Sequence, residues 1–207
     1  MTGPTPARPE PVDFFAVVDA QRACRAFTDA PVSDAVVERV LEAATRAPSA
    51  ENTQPWTFIV IRDAQTRARI GTLTATAWNR SGRELSRDRL SPGLLADVER
   101  GATGGVSGAP VLVVVAADTS RCVESALAAS VFPAIQNLLL AAHACGLGSA
   151  LTTLPTFAPE LGRDLGLPDS VRPMAVVPLG HPARPLGPSR RAPVTEKAHR
   201  ERFGNPW

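Results

Sequence analysis

The order of elements along the chain predicts an α+β fold in three layers. Three observations carry this reading: a β-branched run from Thr57 to Ile61, a continuous apolar run from Pro110 to Ala117, and an apolar helical stretch from Ala126 to Cys145. The first reads as a strand. The second is apolar at every position, as in a strand covered on both faces. The third holds Pro133, Gln136, Asn137 and His143, so it reads as a buried central helix, with His143 a core histidine, rather than a membrane span. Helices interleaved with strands in this way give layers packed on a central sheet.

The remaining elements follow in order. Residues 1–11 are proline-rich and read as a flexible arm. Phe14, Val17, Val18 and Gln21 keep helical spacing. Ser33 is a helix cap with Asp34 at the positive end of the dipole, and Val36, Val37, Val40, Leu41 and Ala44 form the apolar stripe behind it. A helix is expected from Ala64 to Trp78. Residues 79–108 are polar, arginine-rich and glycine-rich, and read as a long loop serving as a lid. Gly146 suits the end of the long helix. Ser149 to Leu154 reads as a short strand, Pro159 opens a helix to about Leu165, and Met174 to Leu179 reads as a further strand. One domain is expected over 12–195, with 196–207 as a C-terminal arm.

Composition narrows the function. The 207 residues are 44% apolar and 20% charged, with a formal net charge of +2. Near-neutral charge points to no nucleic acid and no membrane surface. Cys24, Cys122 and Cys145 are odd in number, with no CxxC pair or His/Cys ligand spacing, so neither a disulfide framework nor a metal site is expected. A reducing compartment and hence a cytoplasmic setting follow, and the N-terminus lacks the apolar core of a signal peptide. There is no internal repeat, no GxGxxG after a strand and no P-loop.

Two segments hold chemistry. Arg22-Ala23-Cys24-Arg25 places two arginines three apart around small residues, an arrangement that can surround an anion with guanidinium and backbone N–H groups. The plainer reading is two solvated arginines at a helix end. Ala47-Pro48-Ser49-Ala50-Glu51-Asn52-Thr53-Gln54-Pro55-Trp56 is rich in donors and acceptors and runs into a strand. Ser49, Asn52 and Gln54 can bond a polar ligand edge, or the segment is a turn that satisfies its own backbone.

Taken together, RACRAF, APSAENTQPWTFIVI, Ala109-Pro110 before a valine-rich strand, VFPAIQNLLL at 131–140, Gly146-Leu147-Gly148, and Pro188-Ser189-Arg190-Arg191-Ala192-Pro193 resemble the nitroreductase family of flavoproteins over residues 14–195. The resemblance implies a three-layer sandwich with a mostly antiparallel sheet and an intertwined homodimer holding FMN between subunits. It implies that Arg22 lies toward the phosphate, Arg25 toward the pyrimidine end of the isoalloxazine, and Ala23 nearby. Pro48, Ser49, Ala50 and Asn52 would reach the cofactor from the other subunit, with Gln54 structural and Trp56 a core anchor. Thr152, Thr153 and Leu154 would run beside the flavin, a backbone N–H of Thr153 or Leu154 facing N5. Gln21 and Ala23 stand where many members carry arginine and serine, and Arg190 and Arg191 would compensate at the phosphate.

The implied activity is reduction of nitroaromatics, quinones or related small electron acceptors by NAD(P)H in a ping-pong scheme, with no protein side chain as nucleophile or base. Three alternatives stand beside it. One is a flavin-sequestering protein with little turnover; the others are a dehalogenase and a flavin-fragmenting synthase. The chain has no tyrosine, which weighs against any mechanism using a lid tyrosine.

Overall fold

The computed structural model describes residues 12–187 and 189–207. The expected 1–11 arm lies outside them. Four strands, β1 (Trp56–Ile61), β2 (Val111–Asp118), β3 (Gly148–Ser149) and β4 (Val171–Gly180), form one sheet in the order β1-β2-β4-β3. Each neighbouring pair is antiparallel.

β2 is the axis of the core. Val111 through Ala117 are fully buried, and their alternation divides the molecule into layers. Val111, Val113, Val115 and Ala117 face α2 (Asp34–Ala44) and α7 (Glu124–Ala144), packing with Val37, Val40, Leu127, Val131, Ile135 and Leu138. Leu112 and Val114 face the other layer, α3 (Ala64–Ala77), α6 (Val106–Gly108) and α8 (Pro159–Asp164), through Ile70, Leu73, Val106 and Leu161. The three-layer α+β expectation holds, and the apolar run is a strand covered on both faces. α7 is long and apolar enough to cross a membrane by composition alone. Here its Leu127, Val131, Ile135 and Leu138 are packed in the core.

The helix ends expected at Ser33 and Gly146 hold, and Asp13 and Asp63 add two caps not read from the sequence. α1 (Phe14–Ala20) is capped by Asp13, whose carboxylate accepts from Ala16 N. Ser33 Oγ accepts from Val36 N at the start of α2. Asp63 caps α3 through Thr66 N at 2.7 Å. Gly146 follows α7 at φ +75°, the left-handed position that favours glycine.

Residues 79–108 correct the long-loop expectation. They are helical: a π-type turn at Trp78–Gly82, α4 (Arg83–Arg87), α5 (Pro92–Arg100), a second π-type turn at Gly101–Gly105, then α6. Ser91 caps α5 with Pro92 in its first turn. Some glycines mark close approach: a Cβ on Gly82 would come within 2.9 Å of the Trp78 ring, and one on Gly71 of α3 within 2.6 Å of Ser107 Cβ, whereas Gly93, Gly104 and Gly108 face open space.

Three smaller corrections follow. The 149–154 strand is shorter than expected: β3 ends at Ser149, Thr152 makes a single bridge to Val176, and Pro155 starts a 3-10 turn at Leu154–Phe157. Trp56 is half-buried, because β1 lies at the sheet edge where only one neighbour covers it. His143 is half-buried too, in the last turn of α7.

Candidate functional site

The segment after α1 leaves the helix at Gln21 and runs extended beside β3. Cys24 N donates to Ser149 O at 2.8 Å, and Ala23 bridges Ser149 in parallel. This pairing fixes Arg22 and Arg25 at the end of the sheet. Arg22 Nη1 donates to Gly187 O at 2.9 Å, tying the first arginine to the C-terminal segment. Cys24, between them, is 1% exposed and donates through its thiol to Ala26 O at 3.2 Å. Burial pushes its thiol pKa up.

A cleft of about 940 Å³ opens along this segment, with Arg22, Ala23, Arg25, Arg190 and Arg191 in its lining. α5 forms the facing wall through Leu94, Asp97 and Arg100, and the 184–187 stretch adds Arg184. A small adjoining cavity runs from Arg25 to Ala150, Leu151, Thr152 and Leu154.

Arg25 is the most constrained group here. Its Nη1 meets Asp97 Oδ2 at 2.6 Å, with both side chains about three-quarters buried. The second π-type turn presses on it: a Cβ on Gly101 would sit 2.6 Å from Arg25 Cδ, and one on Gly105 would sit 2.4 Å from the Arg25 carbonyl oxygen. Asp97 Oδ1 also takes Arg100 Nη1 at 2.9 Å and Arg184 Nη2 at 3.4 Å. Three arginines from three parts of the chain therefore share one carboxylate.

The 48–54 segment is built differently. Ala50 N donates to the buried Ser130 Oγ at 3.1 Å, and Gln54 N donates to Ser49 Oγ at 3.0 Å. Glu51, Asn52 and Gln54 all have positive φ, 53°, 56° and 48°. Such backbone costs on the order of 1–3 kcal/mol per residue and persists where surrounding bonds impose it. Pro48 and Asn52 are exposed, and neither lines the arginine cleft.

Comparison with known proteins is decisive for the family. A sequence profile of the Nitroreductase family matches residues 18–181. This chain belongs to the Nitroreductase family. An NADH dehydrogenase of Thermus thermophilus is 32% identical, over 84% of this chain and 89% of its own. An iodotyrosine deiodinase of Haliscomenobacter hydrossis is 31% identical, over 83% and 80%. A solved Desulfovibrio desulfuricans chain described as a nitroreductase in complex with FMN superposes with a TM-score of 0.71 at 28% identity, over 94% and 99%.

Within this nitroreductase-family chain, the structure brings together Arg22, Ala23, Arg25, Arg190, Arg191, Thr152 and Leu154, in one cleft and its adjoining cavities. Thr153 stands at the N-cap position of the following 3-10 turn, with no side-chain cap bond. Pro48, Ser49, Ala50 and Asn52 stand apart on the α7 side of the same chain. Sequence reasoning missed Asp97, Arg100, Gly101, Gly105 and Arg184. The Ser91-Pro92 helix start and the Asp97/Arg100 spacing of a helical ion pair were the available signals.

Proposed function

We propose that this chain binds FMN in the arginine cleft of a homodimer and uses NAD(P)H to reduce small electron-poor acceptors. The observation that supports it most is the convergence of Arg22, Arg25, Arg190 and Arg191 on one cleft beside the 150–154 backbone. The donor set fits the group. Arg22, Arg190 and Arg191 supply guanidinium forks for a phosphate dianion, and the small side chains of Ala23 and Ala150 leave room beside them for a flat ring.

When bound, FMN supplies two-electron chemistry, taking hydride from a nicotinamide and passing electrons to an acceptor. The chain's own residues bind, orient and exclude water. Arg25, held by Asp97, offers fixed positive charge where reduction builds negative charge. Leu154 N is engaged with Thr152 Oγ1 at 3.2 Å, whereas among the described residues the Thr153 N–H has no intramolecular acceptor. That makes Thr153 the better backbone donor toward the cofactor. α5 and the Gly101–Gly105 turn shield Arg25 from solvent. The second copy would contribute Pro48, Ser49, Ala50 and Asn52.

A second reading, reductive dehalogenation, is favoured by the deiodinase at 31% identity. The test is reconstitution with FMN followed by steady-state turnover of NADH and NADPH with a nitroaromatic, a quinone and a halophenol. Rapid nitroaromatic or quinone reduction is the expected result. Halide release as the main activity would establish the second reading, and FMN binding without turnover would establish a sequestering protein.

A further inference from the structure

Charge in the cleft exceeds what the cofactor needs. Among the described residues its lining holds six arginines, Arg22, Arg25, Arg100, Arg184, Arg190 and Arg191, against the one carboxylate of Asp97. A phosphate monoester brings about two negative charges near neutral pH, and a reduced flavin brings roughly one more. Positive charge is left over, and its location is specific. Asp97 Oδ2 is committed to Arg25 at 2.6 Å, while Arg100 and Arg184 converge on the other oxygen, Oδ1, at 2.9 and 3.4 Å. Two guanidiniums from α5 and the 184–187 stretch thus already grip a single carboxylate oxygen. Each has five N–H donors, so most remain for a second anion. Both stay about half exposed or more, 51% and 65%. Gly93 and Gly187 also line the cleft.

We propose that Arg100 and Arg184 form an anion-recognition pair that selects electron acceptors carrying a carboxylate beside the reducible group. This rests on the flavin reading above but assigns residues and a substrate class that reading leaves open. Arg25 and Asp97 hold the pair in place. Arg22, Arg190 and Arg191 serve the cofactor phosphate.

The experiment compares 4-nitrobenzoate with the uncharged 4-nitrobenzamide, on FMN-loaded wild type and on the Arg100→Gln/Arg184→Gln double variant. Two partly exposed charge contacts of about 0.5–1 kcal/mol each correspond to roughly tenfold in affinity. Wild type should bind nitrobenzoate more tightly by calorimetry without NADH, and use it with a higher kcat/KM. That advantage should shrink with added salt. The double variant should lose about tenfold for nitrobenzoate relative to nitrobenzamide in both readouts, each measured on protein whose FMN loading is confirmed by absorbance. The single variants, each altering one surface arginine, should fall between.

Equal losses for both compounds would overturn the proposal. So would slower flavin bleaching by NADPH but not NADH with nitrobenzoate binding unchanged, which would assign the pair to a dinucleotide phosphate. Selective, salt-sensitive nitrobenzoate binding in a protein that NADH and NADPH cannot reduce would sustain the pair and sink the reductase reading instead.

Discussion

Arg25 is the residue at which the proposed flavin binding and redox tuning meet. Replacing it with alanine removes a charged donor worth about 1.5–3 kcal/mol and leaves Asp97 beside Arg100 and Arg184 only. FMN affinity should fall by about tenfold or more in a fluorescence-quench titration, with little change in melting temperature. Unchanged affinity would remove Arg25 from the cofactor site. Cys24, one residue away, reports the same wall from inside. Its thiol is buried at 1% exposure with its pKa raised by burial, so at neutral pH less thiolate forms than on an ordinary cysteine. Iodoacetamide should label half-buried Cys145 in the native protein and spare Cys24 until denaturant is added; prompt native labelling at Cys24 would contradict this packing. Arg22 and Arg25 were legible in the sequence because their spacing around small residues is a local pattern. Asp97 was not, because its importance comes from two arginines distant in the chain, Arg25 and Arg184.

At the scale of elements, two segments should respond to small changes, one holding left-handed backbone and one packed against Arg25. Ser130 of α7 is 1% exposed, accepts from Ala50 N and donates to Ala126 O at 2.9 Å. Ser130→Ala leaves the Ala50 N–H without its acceptor, which costs roughly 1–3 kcal/mol and frees the left-handed backbone at Glu51, Asn52 and Gln54. Denaturant unfolding measures the loss, and FMN affinity should weaken in parallel. The second π-type turn is the other case. Gly105→Ala meets the Arg25 carbonyl at 2.4 Å, whereas Gly101→Ala meets only the Arg25 side chain. Gly105→Ala should therefore lower FMN affinity and stability more than Gly101→Ala; the reverse order would contradict the packing. Asp63 adds a pH signature. Its hydrogen bonds to Thr66 hold its carboxyl below the usual range. Its folded pKa is depressed, so this stabilisation is full above the unfolded carboxylate value of about 3.9 and is lost as pH falls through the folded pKa. Melting temperature followed down through that range should drop less steeply in Asp63→Asn. The strands and α2, α3 and α7 were legible because each is a long run with one periodicity. α4 to α6 were not, since Gly101, Gly104 and Gly105 read as loop chemistry, while Gly101 and Gly105 in fact sit against Arg25.

For the whole molecule, the single chain leaves much aromatic surface uncovered. Phe14, Phe15, Phe157, Phe203 and Trp207 are each at least 60% exposed. In the tail, Phe203 packs edge-on to His199, and Arg200 lies over the Trp207 ring. Exposed aromatics of this density are typical of surfaces buried on association. In the proposed homodimer the second copy would cover these aromatics and bring Asn52 to the site. Truncation after Pro193 should shift the protein toward monomer by light scattering and lower its melting temperature; no change in either would detach the tail from the interface. The layered sheet was legible from strand order and apolar periodicity. The proposed split of the site between an arginine cleft and the distant 48–52 segment rests on family resemblance, since no local pattern records a second copy. The proposed function requires that this cleft hold a flavin that NAD(P)H can reduce. Anaerobic titration of the FMN-reconstituted protein with NADH or NADPH, followed in the visible spectrum, tests it most directly. Bleaching by at least one nucleotide and recovery of colour on adding an electron-poor acceptor are the expected results. A protein that stays colourless after reconstitution, or a yellow one that neither nucleotide bleaches, would contradict it.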